Sequence, residues 1–384
     1  MKTSIIPNFH KLSINERRKI ISDFYDLTEY EKRMFEDSNA EELPYTENST
    51  GIFPYVLRFA NNFKINNKDY FIPMVIEEAS VVAGACNGAK LCYYSGGIRA
   101  SVIEPKEYSK AIGQVQLIDV KDPEKARRKI LERKDYLLEK AKKKSKHSIP
   151  YDLTVERFDC DLGTMVVVDL HVDPRDAMGA GPSNRMADYI ASELSKIANA
   201  KYNRGIISNY SGRLTKAELK VPIENLSRKS KRTGEEWSGE EVKKKILWLD
   251  RQGKLDVKRA VTNNKGIMNC VIGVARATAQ DDRAISAANA IYTIKSGIYQ
   301  PLSTWCADNN CLYGELEMLI PCGIVGGEIK KYPKAEFMLK KVLKAESADN
   351  LAEIMASAGL AGNLAAMSMI STIGLEEGHQ PHRK

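Results

Sequence analysis

The sequence lacks several features that would assign it to a class at once. None of its hydrophobic runs approaches the roughly 18 apolar residues that cross a membrane, and its first residues lack a signal-peptide pattern. The seven cysteines are odd in number and have no CxxC spacing, which argues against a disulfide framework or a zinc site. The five histidines have no metal-ligand spacing either. We therefore expect a cytoplasmic protein with reduced thiols, no metal and no membrane partner.

Positive charge is present but unevenly placed. Of the formal net charge of +8, a large share comes from residues 121–146, which contain twelve lysines and arginines. Such a field suits a nucleic acid or a polyanionic nucleotide cofactor, and it is also what a solvated helix face looks like. RNA recognition would add exposed aromatic residues or a known module, and the sequence contains neither. We expect no nucleic-acid partner.

The hydrophobic pattern predicts an α+β protein with a domain inserted in a larger one. From residue 111 to residue 210 the pattern indicates strand, helix, two strands, helix and strand. The predicted elements are a strand at 114–120, a long basic helix at 122–146, strands at 153–158 and 164–172, a helix at 184–198 and a strand at 204–209. This βαββαβ order is ferredoxin-like. The larger domain then comprises 1–110 and 211–376, and 377–384 is a C-terminal tail.

Local signals place several elements of the larger domain. Capping boxes at Ser13–Glu16 and Ser238–Glu241 predict helix starts. Residues 63–73 read as a hairpin with its turn at Asn-Asn-Lys. Helices are also expected at 79–91, at 348–358 and at 360–373.

One lysine has the setting of a catalytic group. Lys265 lies in 261–269, where Asn263 and Asn264 favour a turn and Gly266 permits close approach of a ligand. Asp281 follows sixteen residues later, and a cation supported by a carboxylate can stabilise an oxyanion. The alternatives are a solvated loop lysine and an aspartate that caps a helix.

Two further stretches have both a functional and a structural interpretation. Residues 176–184 join a strand to a helix N-terminus through small residues, which suits an anion site but also a plain turn. Glu77 and Glu78 open the helix at 79–91, where carboxylates are also favoured by the helix dipole.

Taken together, these stretches resemble 3-hydroxy-3-methylglutaryl-CoA (HMG-CoA) reductase of the class II type. Six motifs occur in the family's order and cover nearly the whole chain. They are Val75–Ala83, Asp176–Ala180, Asn264–Asn269, Leu316–Met318 with Gly323–Gly327, Gly359–Asn363 and Glu377–His379.

The resemblance implies a homodimer, or a larger assembly of such dimers, that binds HMG-CoA and CoA and carries an inserted NAD(P)-binding domain. The implied reaction reduces HMG-CoA to mevalonate and CoA in the isoprenoid pathway, with two NAD(P)H. Carried over by motif, Lys265 stabilises the oxyanion, Asp281 holds that lysine, Glu78 protonates the aldehyde oxygen, and His379 protonates the CoA thiolate. Glu376 and Glu377 would favour the imidazolium form of His379.

The resemblance also implies binding residues. Substrate-contacting positions are Ser80, Arg259 and Asn269; cofactor-contacting positions are Ser145, Asp176, Met178, Gly179, Ala180 and Asn184. NADH-using relatives have an acid near the end of the basic helix, where this chain has Ser145 between two lysines. We therefore expect NADPH in preference to NADH.

The chain departs from the family pattern at three places. Gly181 and Pro182 replace an asparagine and a small residue, and Gly362 stands where a glutamine is common. Only five residues follow His379, so the small domain that closes class II enzymes is expected to be absent. The alternative function is a reductase-like protein that binds CoA esters or nucleotide with weak or no turnover.

Overall fold

The fold is described from a computed structural model covering residues 2–33, 55–103, 108–295 and 297–379. Two main sheets with helices packed on them make an α+β architecture, as the sequence predicted. The chain begins with α1 (Ile14–Tyr25), α2 (Glu29–Lys32), β1 (Leu57–Ile65), β2 (Lys68–Val75), α3 (Ala79–Tyr93) and β3 (Ile98–Ile103).

Local signals in this first segment predicted the structure correctly. Ser13 caps α1, and its capping box with Glu16 is complete in both directions. β1 and β2 form the expected hairpin, in which Ile65 pairs with Lys68 across a two-residue turn. Asn66 and Asn67 both have positive φ angles of 48° and 66°, which asparagine tolerates better than most residues do.

The second sheet is built from residues 111–208. Its elements are β4 (Ala111–Ile118), α4 (Pro123–Glu132), α5 (Lys134–Lys142), β5 (Ile149–Cys160), β6 (Gly163–Asp173), α6 (Ala180–Ala198), β7 (Lys201–Tyr202) and β8 (Ile206–Ser208). The strand order is β5-β6-β4-β7, and β8 also pairs with β4. This sheet has a core of its own beneath the helices.

The prediction of a single basic helix at 122–146 is wrong in two respects. The helix is interrupted at Arg133, whose backbone leaves the helical region, and the second part ends at Lys142. Ile130 of α4 and Leu137 of α5 are both buried in the same core.

The remaining elements return to the first sheet. They are β9 (Arg213–Pro222), β10 (Arg228–Lys229), β11 (Glu236–Trp237), α7 (Gly239–Leu255), α8 (Val257–Ala277), α9 (Asp282–Tyr292), β12 (Ile294–Lys295), β13 (Ile298–Tyr299), β14 (Ser303–Ala307), β15 (Cys311–Ile320), α10 (Pro333–Phe337), α11 (Ala348–Ile370) and α12 (Gly374–His379). Short 3₁₀ helices occur at Phe9–Lys11, Ile223–Leu226 and Gly327–Lys331, and a π-helical turn at Met338–Val342. The first sheet has the order β14-β15-β9-β3-β1-β2. Because β9 pairs with β3, the chain leaves this sheet and re-enters it at the neighbouring position.

α11 is the central helix of the larger core. The prediction of two helices there is wrong, because the helix continues through Gly359. A Cβ at Gly359 would lie 3.0 Å from Val271 Cγ2 of α8, so this glycine permits close helix packing and does not end the helix. α11 is also long and apolar enough to cross a membrane by length and composition, which corrects the expectation that no stretch approaches this limit. Of its most apolar window, 72% is buried inside the structure, as in a core helix.

Candidate functional site

Lys265 lies on a helix and not on the expected turn. The whole stretch 261–269 belongs to α8, which begins after the capping residue Asp256. Lys265 is exposed, whereas Asn263 and Asn264 beside it are buried. Within the described ranges, no carboxylate forms an ion pair with Lys265.

The two asparagines fix α8 to its neighbours through side-chain hydrogen bonds. Asn263 donates to Ser303 Oγ (3.1 Å) and accepts from the side-chain amide of Asn363 (2.8 Å). Asn264 donates to the carbonyl of Gln300 (2.9 Å) and accepts from the amide of Leu302 (2.8 Å). Buried amides satisfied in this way hold the helix in one rotation about its axis, which keeps Lys265 directed outward.

Asn363 is a residue to which the sequence analysis gave no role. Its amide group donates to Asn263 of α8, and its Oδ1 accepts from Trp305 Nε1 (2.9 Å). Asn363 is 2% exposed, in the middle of the apolar helix α11. A polar residue in so apolar a segment was a signal that the sequence offered.

Asp281 caps α9. Its Oδ1 accepts from the amides of Arg283 and Ala284, both at 3.1 Å, and from Arg283 Nε at 3.2 Å. Burial alone would raise the pKa of this carboxyl, but the amide of Ala284 and the guanidinium of Arg283 bring it below the usual value. The described contacts of Asp281 are therefore those of the structural alternative, and none of them is with Lys265.

Glu78 stands at the N-cap position of α3 without capping the helix by its side chain. Its Oε1 accepts a 2.5 Å hydrogen bond from the hydroxyl of Ser80 in the first helical turn. Both residues are half-buried, while Glu77 is exposed. The structure thus brings together one catalytic and one substrate-binding residue of the sequence prediction.

Arg259 has the setting of an anion-binding residue. Its Nε is buried and has no hydrogen-bond partner in the described part of the chain. Burial lowers the pKa of its guanidinium, although Asp256 acts in the opposite direction. An unpaired buried guanidinium nitrogen is costly, and a carboxylate or phosphate would satisfy it. Asn269 is half-buried one helical turn after Lys265, so these two side chains share a face of α8.

The loop from Asp176 to Ala180 meets the N-terminus of α6. Gly179 is at the N-cap with a φ of 111°, and a Cβ there would lie 2.6 Å from Ala111 Cβ. Glycine is therefore required both for the backbone conformation and for the space. Because no side chain caps α6, the amides of its first turn remain available to an anion. Met178 and Asn184 are half-buried on either side of this N-terminus.

A small, partly open crevice lies beside this N-terminus. It is lined by Ala111, Ile112, Met178, Ala180, Ser183, Ile207, Ser208, Asn209, Ser211 and Pro321. The lining side chains are apolar or small and polar, and none of them is charged. The uncapped amides of α6 at its edge would suit a phosphate of a nucleotide.

Ser145 follows the end of α5 and does not lie on the helix. Its Oγ accepts from the amides of His147 (3.3 Å) and Ser148 (3.0 Å), which closes a turn. The ammonium group of the adjacent Lys144 lies 4.2 Å from the ring centroid of Tyr189. Lys144 is thereby drawn toward α6 by a cation–π interaction.

α12 brings the C-terminal acids to the loop 230–232. Glu377 accepts from Ser230 Oγ and from the amide of Lys231, both at 2.6 Å, and Glu376 pairs with Arg232 at 3.1 Å. The described contacts of both acids are therefore with this loop, and their effect on the imidazolium of His379 stays a prediction. His379 is the last residue of α12, and its side chain lies outside the described part of the structure.

Comparison with known proteins agrees with the resemblance seen in the sequence. The family described as hydroxymethylglutaryl-coenzyme A reductase matches residues 13–384. A 3-hydroxy-3-methylglutaryl-coenzyme A reductase from Archaeoglobus fulgidus is 35% identical over 390 residues, covering 98% of this chain and 85% of the relative. A probable reductase of the same name from Borreliella burgdorferi is 30% identical, covering 97% and 84%.

Solved structures agree with these sequence matches. A 3-hydroxy-3-methylglutaryl-coenzyme A reductase from Streptococcus pneumoniae superposes with a TM-score of 0.87 at 31% identity, covering 98% of this chain and 89% of that chain. A structure of the class II enzyme of that organism, bound to NADPH in open conformations, gives 0.86 at 31% identity and covers 95% and 100%. This chain therefore belongs to the hydroxymethylglutaryl-coenzyme A reductase family.

Proposed function

We propose that this protein is an NAD(P)H-dependent oxidoreductase that reduces HMG-CoA to mevalonate and CoA. The observation that carries the proposal is the family match over residues 13–384. The position of Lys265 supports it, because this lysine is exposed on a helix that buried asparagines hold in place.

Lys265 is proposed to stabilise negative charge on the reacting oxygen. A positive charge next to the thioester carbonyl lowers the energy of the tetrahedral oxyanion that forms when hydride is added. The C–S bond then breaks, which gives mevaldehyde and the CoA thiolate. Lys265 next polarises the aldehyde, and addition of a second hydride forms the alcohol.

Protons are required at two atoms of this sequence. Glu78 is proposed to protonate the aldehyde oxygen, with Ser80 orienting its carboxyl group through the 2.5 Å hydrogen bond. His379 is proposed to protonate the thiolate. Asp281 is proposed to support the charge of Lys265, a role that requires it to leave or share the capping contacts at α9.

Substrate and cofactor are proposed to occupy the two anion-binding features. Arg259, with its unpaired Nε, would bind a carboxylate or phosphate of HMG-CoA, and Asn269 would contact the substrate beside Lys265. Asp176, Met178, Gly179, Ala180 and Asn184 would hold the nucleotide at the N-terminus of α6, with Ser145 at its adenosine end. When bound, the reduced nicotinamide supplies the hydride in both steps. NADPH, which the Streptococcus pneumoniae structure contains, is proposed in preference to NADH.

A homodimer is proposed as the working form, or a larger assembly of such dimers. Val257 and Val261 are about half exposed and precede Lys265 by two turns and one turn on the same face of α8. Leu255 and Trp248 of α7 are also exposed, by 88% and 68%. Apolar residues exposed on these two helices suit burial by a second copy. A cytoplasmic location is proposed from the seven free cysteines.

The test is oxidation of NADPH in the presence of HMG-CoA, followed by product analysis. Two NADPH consumed for each mevalonate and each free CoA formed would support the proposal. Binding of NADPH and HMG-CoA without mevalonate would instead support a reductase-like binding protein with weak or no turnover. Sedimentation at the assay concentration would measure the oligomeric state. Activity in a monomer would contradict the proposal that the dimer is the working form.

A further inference from the structure

The loop between β6 and α6 is attached to the larger core by Asp176. Its Oδ1 accepts from the amide of Ala348 (3.0 Å), at the start of α11. Its main-chain carbonyl accepts from the amides of Ile324 (2.8 Å) and Val325 (3.3 Å), which follow β15. A residue that the resemblance assigns to the cofactor therefore uses Oδ1 and its main-chain carbonyl in contacts with the protein.

Arg213 is the centre of this attachment. It is the first residue of β9 and is only 1% exposed. Its guanidinium donates to Asp349 Oδ1 (2.6 Å from Nε), to the carbonyl of Cys322 (2.7 Å from Nη1) and to the carbonyl of Arg175. Three segments that are distant in sequence thus share one buried cation.

The backbone of the loop shows how tightly it is held. Arg175 has a φ of 54°, a left-handed conformation that is uncommon for residues other than glycine. Its carbonyl accepts from Arg213 in this conformation. A Cβ at Gly323 would collide with the amide nitrogen of Met178, so the two backbones are in direct contact. The amide of Gly323 donates to Gln280 Oε1 (2.9 Å).

α11 extends this attachment to the helix that carries Lys265. Its first turn bonds Asp176 through Ala348 and Arg213 through Asp349. Four turns later, Asn363 bonds Asn263 of α8 at 2.8 Å. The cofactor loop and the catalytic helix are therefore fixed to the two ends of one buried segment.

We propose that Arg213 is a positioning residue for the nicotinamide nucleotide: with Asp349 it holds the loop 175–179 so that Gly179 and the first turn of α6 face the crevice in a binding-competent arrangement. This inference rests on the proposed function for the identity of the nucleotide. Arginine is required because a planar guanidinium can donate in three directions at once. A lysine ammonium is a point charge on a flexible stem and cannot reproduce that geometry.

The experiment compares Arg213→Lys and Arg213→Met with Arg157→Lys in the full-length protein. Arg157 is a matched control, because it also bonds an aspartate, Asp159, but lies exposed in the β5–β6 hairpin at the far end of β6. Three quantities are measured: the KM for NADPH, the KM for HMG-CoA, and the Kd for NADPH from cofactor fluorescence. Amide exchange of Ile324 and Ala348, which donate to Asp176, reports the loop without any ligand.

For Arg213→Lys we expect the KM and Kd for NADPH to rise about tenfold or more, since bonds to a charged donor are lost. The KM for HMG-CoA should stay within about twofold, and exchange at Ile324 and Ala348 should accelerate. Arg157→Lys should change none of these. A purely structural role would instead raise both KM values together or lower only kcat, and either result would overturn the proposal.

Two features keep the outcome decisive. If Arg213→Met does not fold, Arg213→Lys and Asp349→Asn provide the same comparison, because Asp349→Asn removes the carboxylate and keeps an acceptor. If the proposed function is wrong, the unchanged protein will show no increase in NADPH oxidation when HMG-CoA is added. The Kd for NADPH and the amide exchange would still test whether Arg213 positions the loop. If both values are unchanged in the variants, Arg213 does not have this role.

Discussion

The side-chain amide of Asn363 donates to Oδ1 of Asn263, two residues before Lys265 on α8. This bond joins α11 to α8 and directs one face of α8 inward. Lys265 is left on the opposite, exposed face with Val257 and Val261. The position of Lys265 is therefore fixed by hydrogen bonds of the neighbouring asparagines and not by its own side chain. Its side chain can be changed without disturbing the core.

We expect Lys265→Ala to abolish reduction without changing stability. Removal of an oxyanion-stabilising group costs about a hundredfold or more in kcat, whereas an exposed helical lysine replaced by alanine shifts stability by less than about 0.5 kcal/mol. HMG-CoA-dependent NADPH oxidation and thermal unfolding are measured side by side. Near-normal turnover would remove Lys265 from the mechanism.

Two substitutions distinguish the capping role of Asp281 from its proposed catalytic role. Asparagine caps helices about as well as aspartate, so Asp281→Asn should keep most of the stability of α9 and lose only the contribution of the charge, while Asp281→Ala should cost about 1 kcal/mol. Both variants lack the carboxylate and should lose activity to a similar extent. An active Asp281→Asn would show that Asp281 only caps the helix.

The same residue gives a pH dependence of stability. The pKa of Asp281 is lower in the folded protein than its ordinary value, because the amide of Ala284 and the guanidinium of Arg283 outweigh burial. Its contribution is therefore complete above the unfolded pKa of about 3.9 and is lost as the pH falls through the lower folded value. The stability gap between the unchanged protein and Asp281→Ala, from denaturant unfolding, should narrow below about pH 4. A constant gap would argue against an ionised cap.

Local sequence signals predicted structure well where the interaction itself is local. The capping boxes at Ser13 and Ser238 and the Asn66–Asn67 turn involve residues within a few positions of each other, and all are present. Asn263 and Asn264 show the opposite case. Their side chains favour a turn, but partners 36 to 100 residues away satisfy them inside a helix. Those partners cannot be read from the neighbouring sequence.

The prediction of a helix break at Gly359 failed for a related reason. Gly359 suggested a break between two helices, but the structure uses it for contact between α11 and α8. Motif resemblance proposed Lys265, Glu78 and Arg259 as site residues, and their roles stay predictions. It did not identify Arg213, whose three partners come together only in the folded chain.

Gly362 and Cys270 are expected to be coupled. A Cβ at Gly362 would lie 2.5 Å from Cys270 Sγ, so the sulfur occupies the space that a larger residue would need. Gly362→Ala should be destabilising, because overpacking of about 1–3 kcal/mol outweighs the helix propensity of alanine. In a Cys270→Ala background the same change should become stabilising. The double-mutant cycle by denaturant unfolding should give a coupling above about 1 kcal/mol.

Gly84 of α3 provides the matched control for that cycle. A Cβ there meets only Ala365 Cβ at an ordinary 3.7 Å. Gly84→Ala should therefore stabilise the protein by about 0.5–1 kcal/mol in either background. Additive effects of Gly362→Ala and Cys270→Ala would contradict the proposed overlap.

His379→Ala should slow thioester reduction far more than reduction of free mevaldehyde. Only the thioester releases a thiolate that needs a proton, so the two rates should separate by about a hundredfold or more, the lower end of the contribution expected from a general acid. Both rates are measured with saturating NADPH. Equal losses would mean that His379 shapes the site and does not donate the proton. Glu377→Gln is a useful comparison, since Glu377 bonds Ser230 and Lys231 and should affect both rates alike.

The final prediction concerns the choice of cofactor at Ser145. The hydroxyl of Ser145 accepts from the amides of His147 and Ser148, and an aspartate can accept in the same turn. Ser145→Asp should therefore fold normally while adding a negative charge between Lys144 and Lys146. That charge would repel a 2′-phosphate and accept from a ribose 2′-hydroxyl, so the ratio of kcat/KM for NADPH to that for NADH should fall about tenfold or more. Ser145→Asn, which has the same shape without the charge, should leave the ratio within about twofold of its original value. Preference of the unchanged protein for NADH, or an equal shift in both variants, would place the ribose elsewhere.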